Sequence, residues 1–136
     1  MNLNQVTIPS HDLATSVAFY ETLGLRLIVD SRPRYARFEC PNGDSTFSIH
    51  HVEHPIQTEG LCVYFGCEDL DQRVAELTDL GIVCEHGPVD QRWLWREARF
   101  KDPDGNSLVL FRAGENRRNP PWRVNTESEN NEAGSL

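Results

Sequence analysis

"ARFKDPDGNS" (Ala98–Ser107) reads as a strand running into a tight turn, and the chain has already written nearly the same stretch as "ARFECPNGDS" (Ala36–Ser45). Six of the ten positions are identical, without a gap, at an offset of 62 residues. A second pair of segments explains the first. "DLATSVAFYETLGL" (Asp12–Leu25) lines up on "DLDQRVAELTDLGI" (Asp69–Ile82) at an offset of 57. Each opens on an aspartate placed to cap a helix by accepting backbone N–H bonds. Each then sets apolar residues at helical spacing: Leu13, Val17, Tyr20 and Leu23 in the first, Leu70, Val74, Leu77 and Leu80 in the second. Each closes on Leu-Gly, where glycine supplies a left-handed C-terminal turn. The spacing predicts two equivalent amphipathic helices.

The offset of 57 also works upstream. "QVTI" (Gln5–Ile8) and "CVYF" (Cys62–Phe65) both alternate, so Val6, Ile8, Val63 and Phe65 face the helices. Gln5, Thr7, Cys62 and Tyr64 then face the other side of the sheet. After each helix comes a strand, "LRLIVD" or "IVCEHG", then the repeated hairpin, then a last strand, "STFSIH" or "NSLVLF". The order is β-α-β-β-β, twice. The chain is thus expected to be an α+β protein of two tandem βαβββ modules, about 3–54 and 60–112, within one domain over 1–112. Helices cover one face of each sheet, so the other face must pack on something or line a cavity. Two facing copies make a curved, half-open mixed sheet around a central trough, where a ligand would go.

Composition narrows the class. Of 136 residues, 38% are hydrophobic and 25% charged, the balance of an ordinary soluble globular protein. No apolar run approaches the roughly 18 residues that span a bilayer, so no membrane partner is expected. "MNLNQVTIPS" has no charged stretch followed by an apolar one, so a cytoplasmic location is expected. The net charge of −8 argues against nucleic acid as a partner. Cys40, Cys62, Cys67 and Cys84 form no C-x-x-C pair and read as buried reduced thiols. "RAGENRRNPPWRV" (Arg112–Val124) lies past the repeat, and its prolines impose extended backbone. Residues 113–124 are read as a strap docking Trp122 against the body, and 125–136 as a polar acidic tail.

A paired βαβββ module carrying "DLATSVAFYETLGL" and "DPDGNSLVL" resembles the vicinal oxygen chelate superfamily, which includes glyoxalase I, extradiol dioxygenases and the bleomycin-resistance binding proteins. Enzymes of that group usually hold one divalent metal with four side chains, from the first and last strand of each module. The resemblance puts those places at Gln5, Ser48, Cys62 and Val109 in this chain. Glutamine is acceptable there, but serine is a poor neutral ligand, valine has no donor, and such octahedral sites favour oxygen and imidazole over a thiol. No metal is therefore expected at the usual place, and no cofactor is predicted, with a divalent metal at a shifted site left open.

The remaining trough residues follow from alternation: Thr7, Tyr35, Arg37, Ser48 and His50 from the first half, Tyr64, Trp95, Glu97, Arg99 and Phe111 from the second. His50, an imidazole, could act as acid, base or ligand, or simply end a strand. Its neighbour His51 points to the opposite face, so "HHVEH" is weak as a metal cluster. Glu97 could abstract a proton alpha to a carbonyl, or pair with Arg37 or Arg99 to lock the sheet. Arg37 and Arg99, at equivalent places, suit a small anion. Trp93 and Trp95 suit a flat ring, the end of the barrel or a subunit contact.

Two functions remain open from the sequence, beside a third reading as a subunit or regulator whose trough is filled by its own side chains. One is a metal-free protein binding a small aromatic or anionic molecule through Tyr35, Arg37, Tyr64, Trp95, Arg99 and Phe111. The other is a lyase, isomerase or dioxygenase-like enzyme that uses His50 and Glu97 as catalytic acid and base or as ligands of a relocated metal. A homodimer is expected, since open sheets leave unpaired edge strands.

Overall fold

The computed structural model describes residues 1–124, so the acidic stretch expected at 125–136 lies outside the described residues. The first half runs β1 (Gln5–Ser10), α1 (Leu13–Leu23), β2 (Arg26–Ser31), β3 (Tyr35–Glu39) and β4 (Thr46–His51). The second runs β5 (Cys62–Gly66), α2 (Leu70–Asp79), β6 (His86–Asp90), β7 (Arg96–Lys101) and β8 (Ser107–Arg112). A single 3-10 turn, Gly114–Arg117, follows. The duplicated βαβββ order is the one the repeat predicts.

Each half builds its own four-stranded sheet, ordered β1-β4-β3-β2 and β5-β8-β7-β6. The first strand of each half lies parallel to its last, and the other pairings are antiparallel. Register sets the two faces. Thr7, Ser48 and Arg37 stand opposite one another across β1, β4 and β3, as do Tyr64, Val109 and Arg99 across β5, β8 and β7. The alternate residues, Ile8, Ile49, Phe38 and Phe47, are buried under the helices.

The core is one cluster shared by both halves. Helix α1 buries the expected stripe of Leu13, Val17, Tyr20 and Leu23. The Tyr20 ring packs 4.6 Å from Phe47 and 5.9 Å from Phe38, centroid to centroid, and Phe47 meets Phe65 of the other half at 5.5 Å. Such aromatic pairs add roughly 0.5–1.5 kcal/mol each beyond the area they bury.

Polar bonds between the halves are buried at one seam. The Tyr20 hydroxyl donates to Asp102 Oδ2 at 2.6 Å, and Asp102 also accepts from the N–H groups of Asp104 and Asn106. Asp104 accepts from the His11 N–H at 2.8 Å and from Ser16 Oγ at 3.0 Å. Asn106 Nδ2 donates to the Pro9 carbonyl at 3.1 Å. Burial and then the Asp102 charge push the Tyr20 phenol far above its ordinary range. The "DPDGN" turn therefore both closes a hairpin and docks on the other half.

Five local expectations need correcting. Asp12 caps α1 by accepting from the Thr15 N–H, but Asp69 makes no side-chain cap bond, because its carboxylate takes the Cys67 thiol instead. Leu80 does not complete the α2 stripe; it falls past the helix end and is 62% exposed. The strand expected at "IVCEHG" begins only at His86. The four thiols are free but half-buried rather than buried. Trp122 is 57% exposed and does not dock on the body.

Candidate functional site

On the trough wall of the first half, Tyr35 is the hub. Its hydroxyl lies 2.7 Å from Ser48 Oγ and accepts from Arg37 Nε at 2.9 Å, and the Arg37 guanidinium sits 5.5 Å from its ring centroid. Burial pushes the phenol up, but the bonds to Ser48 and Arg37 and the guanidinium charge outweigh it, so the net shift is downward. The antiparallel register makes this possible. Tyr35 and Arg37 are two apart on β3, and Ser48 stands opposite Arg37 on β4. A guanidinium held against a phenol in this way is aimed before any ligand arrives.

The wall of the second half is aromatic. Trp95 stacks on Phe111 with centroids 4.7 Å apart and planes at 17°, and Tyr64 meets both rings edge-on at 5.9 and 5.7 Å. Tyr64 is 44% exposed, so the cluster is open to solvent on that side. Trp95 Nε1 donates to the Asn116 carbonyl at 3.1 Å. The segment past β8 is thus tied down through Trp95, the contact expected of Trp122.

Glu97 is 2% exposed and fully engaged. Its Oε2 accepts from Trp93 Nε1 at 2.7 Å and its Oε1 from Arg99 Nη2 at 3.4 Å. This is the ion pair with Arg99 foreseen from the sequence, with a stronger anchor in Trp93 that was not. Trp93 is four residues before Glu97, across the turn that enters β7, and nothing in the alternation pattern points to it. His50 is exposed at the end of β4, opposite Tyr35. Among the described residues no hydrogen bond or ion pair joins His50 to Glu97.

The four places that the family uses for metal do not fit one here. Ser48 spends its hydroxyl on Tyr35, and Val109 is fully buried with no donor atom. Gln5 Oε1 accepts from Thr46 Oγ1 at 2.9 Å, and burial pushes the Cys62 thiol up. A set with one amide oxygen and one neutral thiol is not an octahedral cage. Among the described residues, no three His, Cys, Asp or Glu side chains gather in a way that could hold a metal ion.

A half-open cavity lies elsewhere. Beyond Tyr64, between the Cys40–Ser45 turn, the end of β5 and the start of α2, is a cavity of about 520 Å³. It is not the trough, whose faces carry the ring cluster and the guanidinium groups. Its sequence signal is the mismatch of the two halves at Asn42 and Arg73.

No helix among the described residues is long and apolar enough to cross a membrane. The chain is 28% identical over 128 residues to an uncharacterized protein, YraH, of Bacillus subtilis (strain 168), covering 82% of this chain and 98% of that protein. Its fold is similar to that of TnmS3, an antibiotic binding protein from Streptomyces sp. CB03234, with a TM-score of 0.72, 24% identity, and coverage of 83% of this chain and 96% of the other. It is also similar to a lactoylglutathione lyase from Agrobacterium tumefaciens, with a TM-score of 0.67, 20% identity, and coverage of 82% and 92%. At such identities the likeness speaks for the fold. With two βαβββ halves around a trough, and a match of residues 2–110 to the family model, the chain belongs to the Glyoxalase/Bleomycin resistance protein/Dioxygenase superfamily.

Proposed function

We propose that this protein binds a small flat aromatic molecule bearing an anionic group, in the trough and without the family's metal. The observations that support this are the Tyr64–Trp95–Phe111 ring cluster on the trough face of one half and the Tyr35-held Arg37 guanidinium on that of the other. Rings offer stacking area at low entropic cost, and a preset guanidinium offers two parallel donors to a carboxylate or sulfonate. Glu97 is spent on Trp93 and Arg99, so it serves the wall rather than a reaction. Similarity in fold to an antibiotic binding protein is in keeping with such a role. The unpaired edges of the sheets supply a physical reason for a homodimer.

The test is a titration with 2-naphthoate and its cationic isostere 2-naphthylmethylammonium, followed by tryptophan emission. The naphthoate should bind more tightly, and Trp95→Ala or Arg37→Ala should each weaken it at least about tenfold, the scale of one good stacking or charged contact. Equal binding of the two probes, or no loss in either variant, would overturn the proposal.

A further inference from the structure

The repeat relates two seams between the halves, and only one of them is filled. At the filled seam, the Asp102–Asn106 turn docks on the end of β1 and the start of α1 through the bonds of Asp104 and Asn106 to His11, Ser16 and Pro9. The offset of 62 gives Asn42 as the equivalent of Asp104, and the offset of 57 gives Glu68 and Arg73 as the equivalents of His11 and Ser16. None of these bonds is repeated. Among the described residues, no hydrogen bond joins the Cys40–Ser45 turn to β5 or α2, and the cavity of about 520 Å³ stands in its place.

We infer that this hollow seam is a second binding site, for a small monocarboxylic acid with an apolar body, whose carboxylate stands where that of Asp104 stands in the filled seam. There, the carboxylate takes one backbone N–H and one side-chain donor. The hollow seam keeps a donor at the Ser16 place, Arg73, which lines the cavity, and lacks the acceptor. Arg73 replaces Ser16 and is already oriented: its Nη2 donates to the carbonyls of Thr22 and Leu23 at 3.0 and 2.9 Å, and its Nη1 to Glu76 at 3.0 Å. Its Nε–H and the second Nη1–H remain for a ligand. Asn42, where the filled seam has an aspartate, brings no charge. Leu25, Phe65 and Leu110 line the cavity and suit an apolar body, and the volume lies within the range of roughly 300–1,000 Å³ usual for ligand pockets. Asp69 on the wall and Glu76 beside Arg73 disfavour a second negative charge, which selects a monoacid over a diacid or a phosphate.

The cavity shares Tyr64 with the trough's ring cluster, so its test reads location as well as affinity. Hexanoate, which has no ring to stack, is titrated into the isotopically labelled full chain and followed by amide NMR. Saturable shifts at Gly66–Asp69 and Asn42–Gly43 are expected by about 20 mM, the weak range proper to an eight-atom fragment. Hexan-1-ol should bind at least about tenfold more weakly. Asn42→Asp lies on an exposed turn and restores the carboxylate of the filled seam, so it should weaken hexanoate at least about tenfold and raise the Tm. Arg73→Gln should weaken it as far, with far-UV circular dichroism checking the fold. Shifts confined to Trp95–Arg99 and Phe111, no saturation, equal binding of the alcohol, or unchanged affinity in Asn42→Asp would each overturn the inference.

Discussion

Neutralising Glu97 should cost this protein less than removing the indole that holds it. Glu97 is 2% exposed, its Oε2 is held by Trp93 Nε1 at 2.7 Å, and its Oε1 is reached by Arg99 only at 3.4 Å. Trp93→Phe keeps most of a ring that is already one-third exposed but leaves a buried carboxylate oxygen without its short donor. A hydrogen bond to a charged group contributes about 1.5–3 kcal/mol, and the orphaned charge makes the upper half of that range apply, so a loss of about 2–3 kcal/mol is expected. Glu97→Gln keeps a carbonyl oxygen for Trp93 and turns an amide toward Arg99. It gives up a long contact to a guanidinium that is 43% exposed, a contact that solvent screens to under about 1 kcal/mol. The net loss should be about 0.5–1 kcal/mol. Once the charge is gone the indole matters less, so a double-mutant cycle should return a coupling of about 1–2 kcal/mol. The assay is urea denaturation at pH 7 followed by far-UV circular dichroism. If Glu97→Gln proves as costly as Trp93→Phe, or costlier, the carboxylate is held by its charge and not by the indole, and the reading of Glu97 as a fixed part of the wall fails.

Two further outcomes follow from the same geometry. Tyr20→Phe removes a fully buried 2.6 Å bond between the halves while Asp102 keeps its three bonds to Asp104 and Asn106, so it should cost about 2 kcal/mol and lower the Tm by roughly 6–10 °C in calorimetry; a shift under about 2 °C would show that the seam is held otherwise. Burial, then the bond to Asp69 and its charge, push the Cys67 thiol from its ordinary value of 9.0 up to about 11. Below pH 9 both folded and unfolded thiols keep the proton, and above it the unfolded one ionises first, so this group removes stability as pH rises from 9 through 11. In a Cys40→Ser, Cys62→Ser, Cys84→Ser background, iodoacetamide alkylation should therefore rise with a midpoint near 11; a midpoint near 9 would contradict the Cys67–Asp69 contact.

The architecture was legible because the chain states it twice. Periodicity in one half is suggestive, but Asp12–Leu25 laid on Asp69–Ile82 makes each half evidence for the other, and strand alternation then sorts Arg37, Tyr64, Glu97 and Arg99 onto the trough face. What escaped are single side-chain contacts, some across the fold and one, Trp93 to Glu97, across a turn. That Glu97 is gripped by Trp93, that Tyr20 reaches Asp102, and that Trp95 rather than Trp122 ties down Asn116 are contacts between residues that no local period relates. Asp69 shows the limit of analogy even within the repeat. It aligns with the capping Asp12, yet a thiol at Cys67, where the first half has Ser10, draws its carboxylate off the helix end.

That last exchange shows why the two seams can differ without the fold giving way. The halves share one apolar core through Phe47 and Phe65, and the filled seam adds the buried Tyr20–Asp102 bond together with the docked Asp104 and Asn106. One such seam carries the buried bonds between the two halves, while the second is held by Arg73, whose guanidinium donates to the Thr22 and Leu23 carbonyls of the first half. Four of its positions differ from those that close the filled seam: cysteine for Ser10, leucine for Tyr20, cysteine for Asp102, asparagine for Asp104. A seam that merely decayed would be expected to collapse or fill with apolar side chains, because an empty apolar hollow forfeits contacts on every wall. This one instead places an arginine at the Ser16 position and fixes its guanidinium with three bonds. The filled seam is therefore the internal control for the hollow one. It displays, in the same molecule, a carboxylate held by the residue that Arg73 replaces.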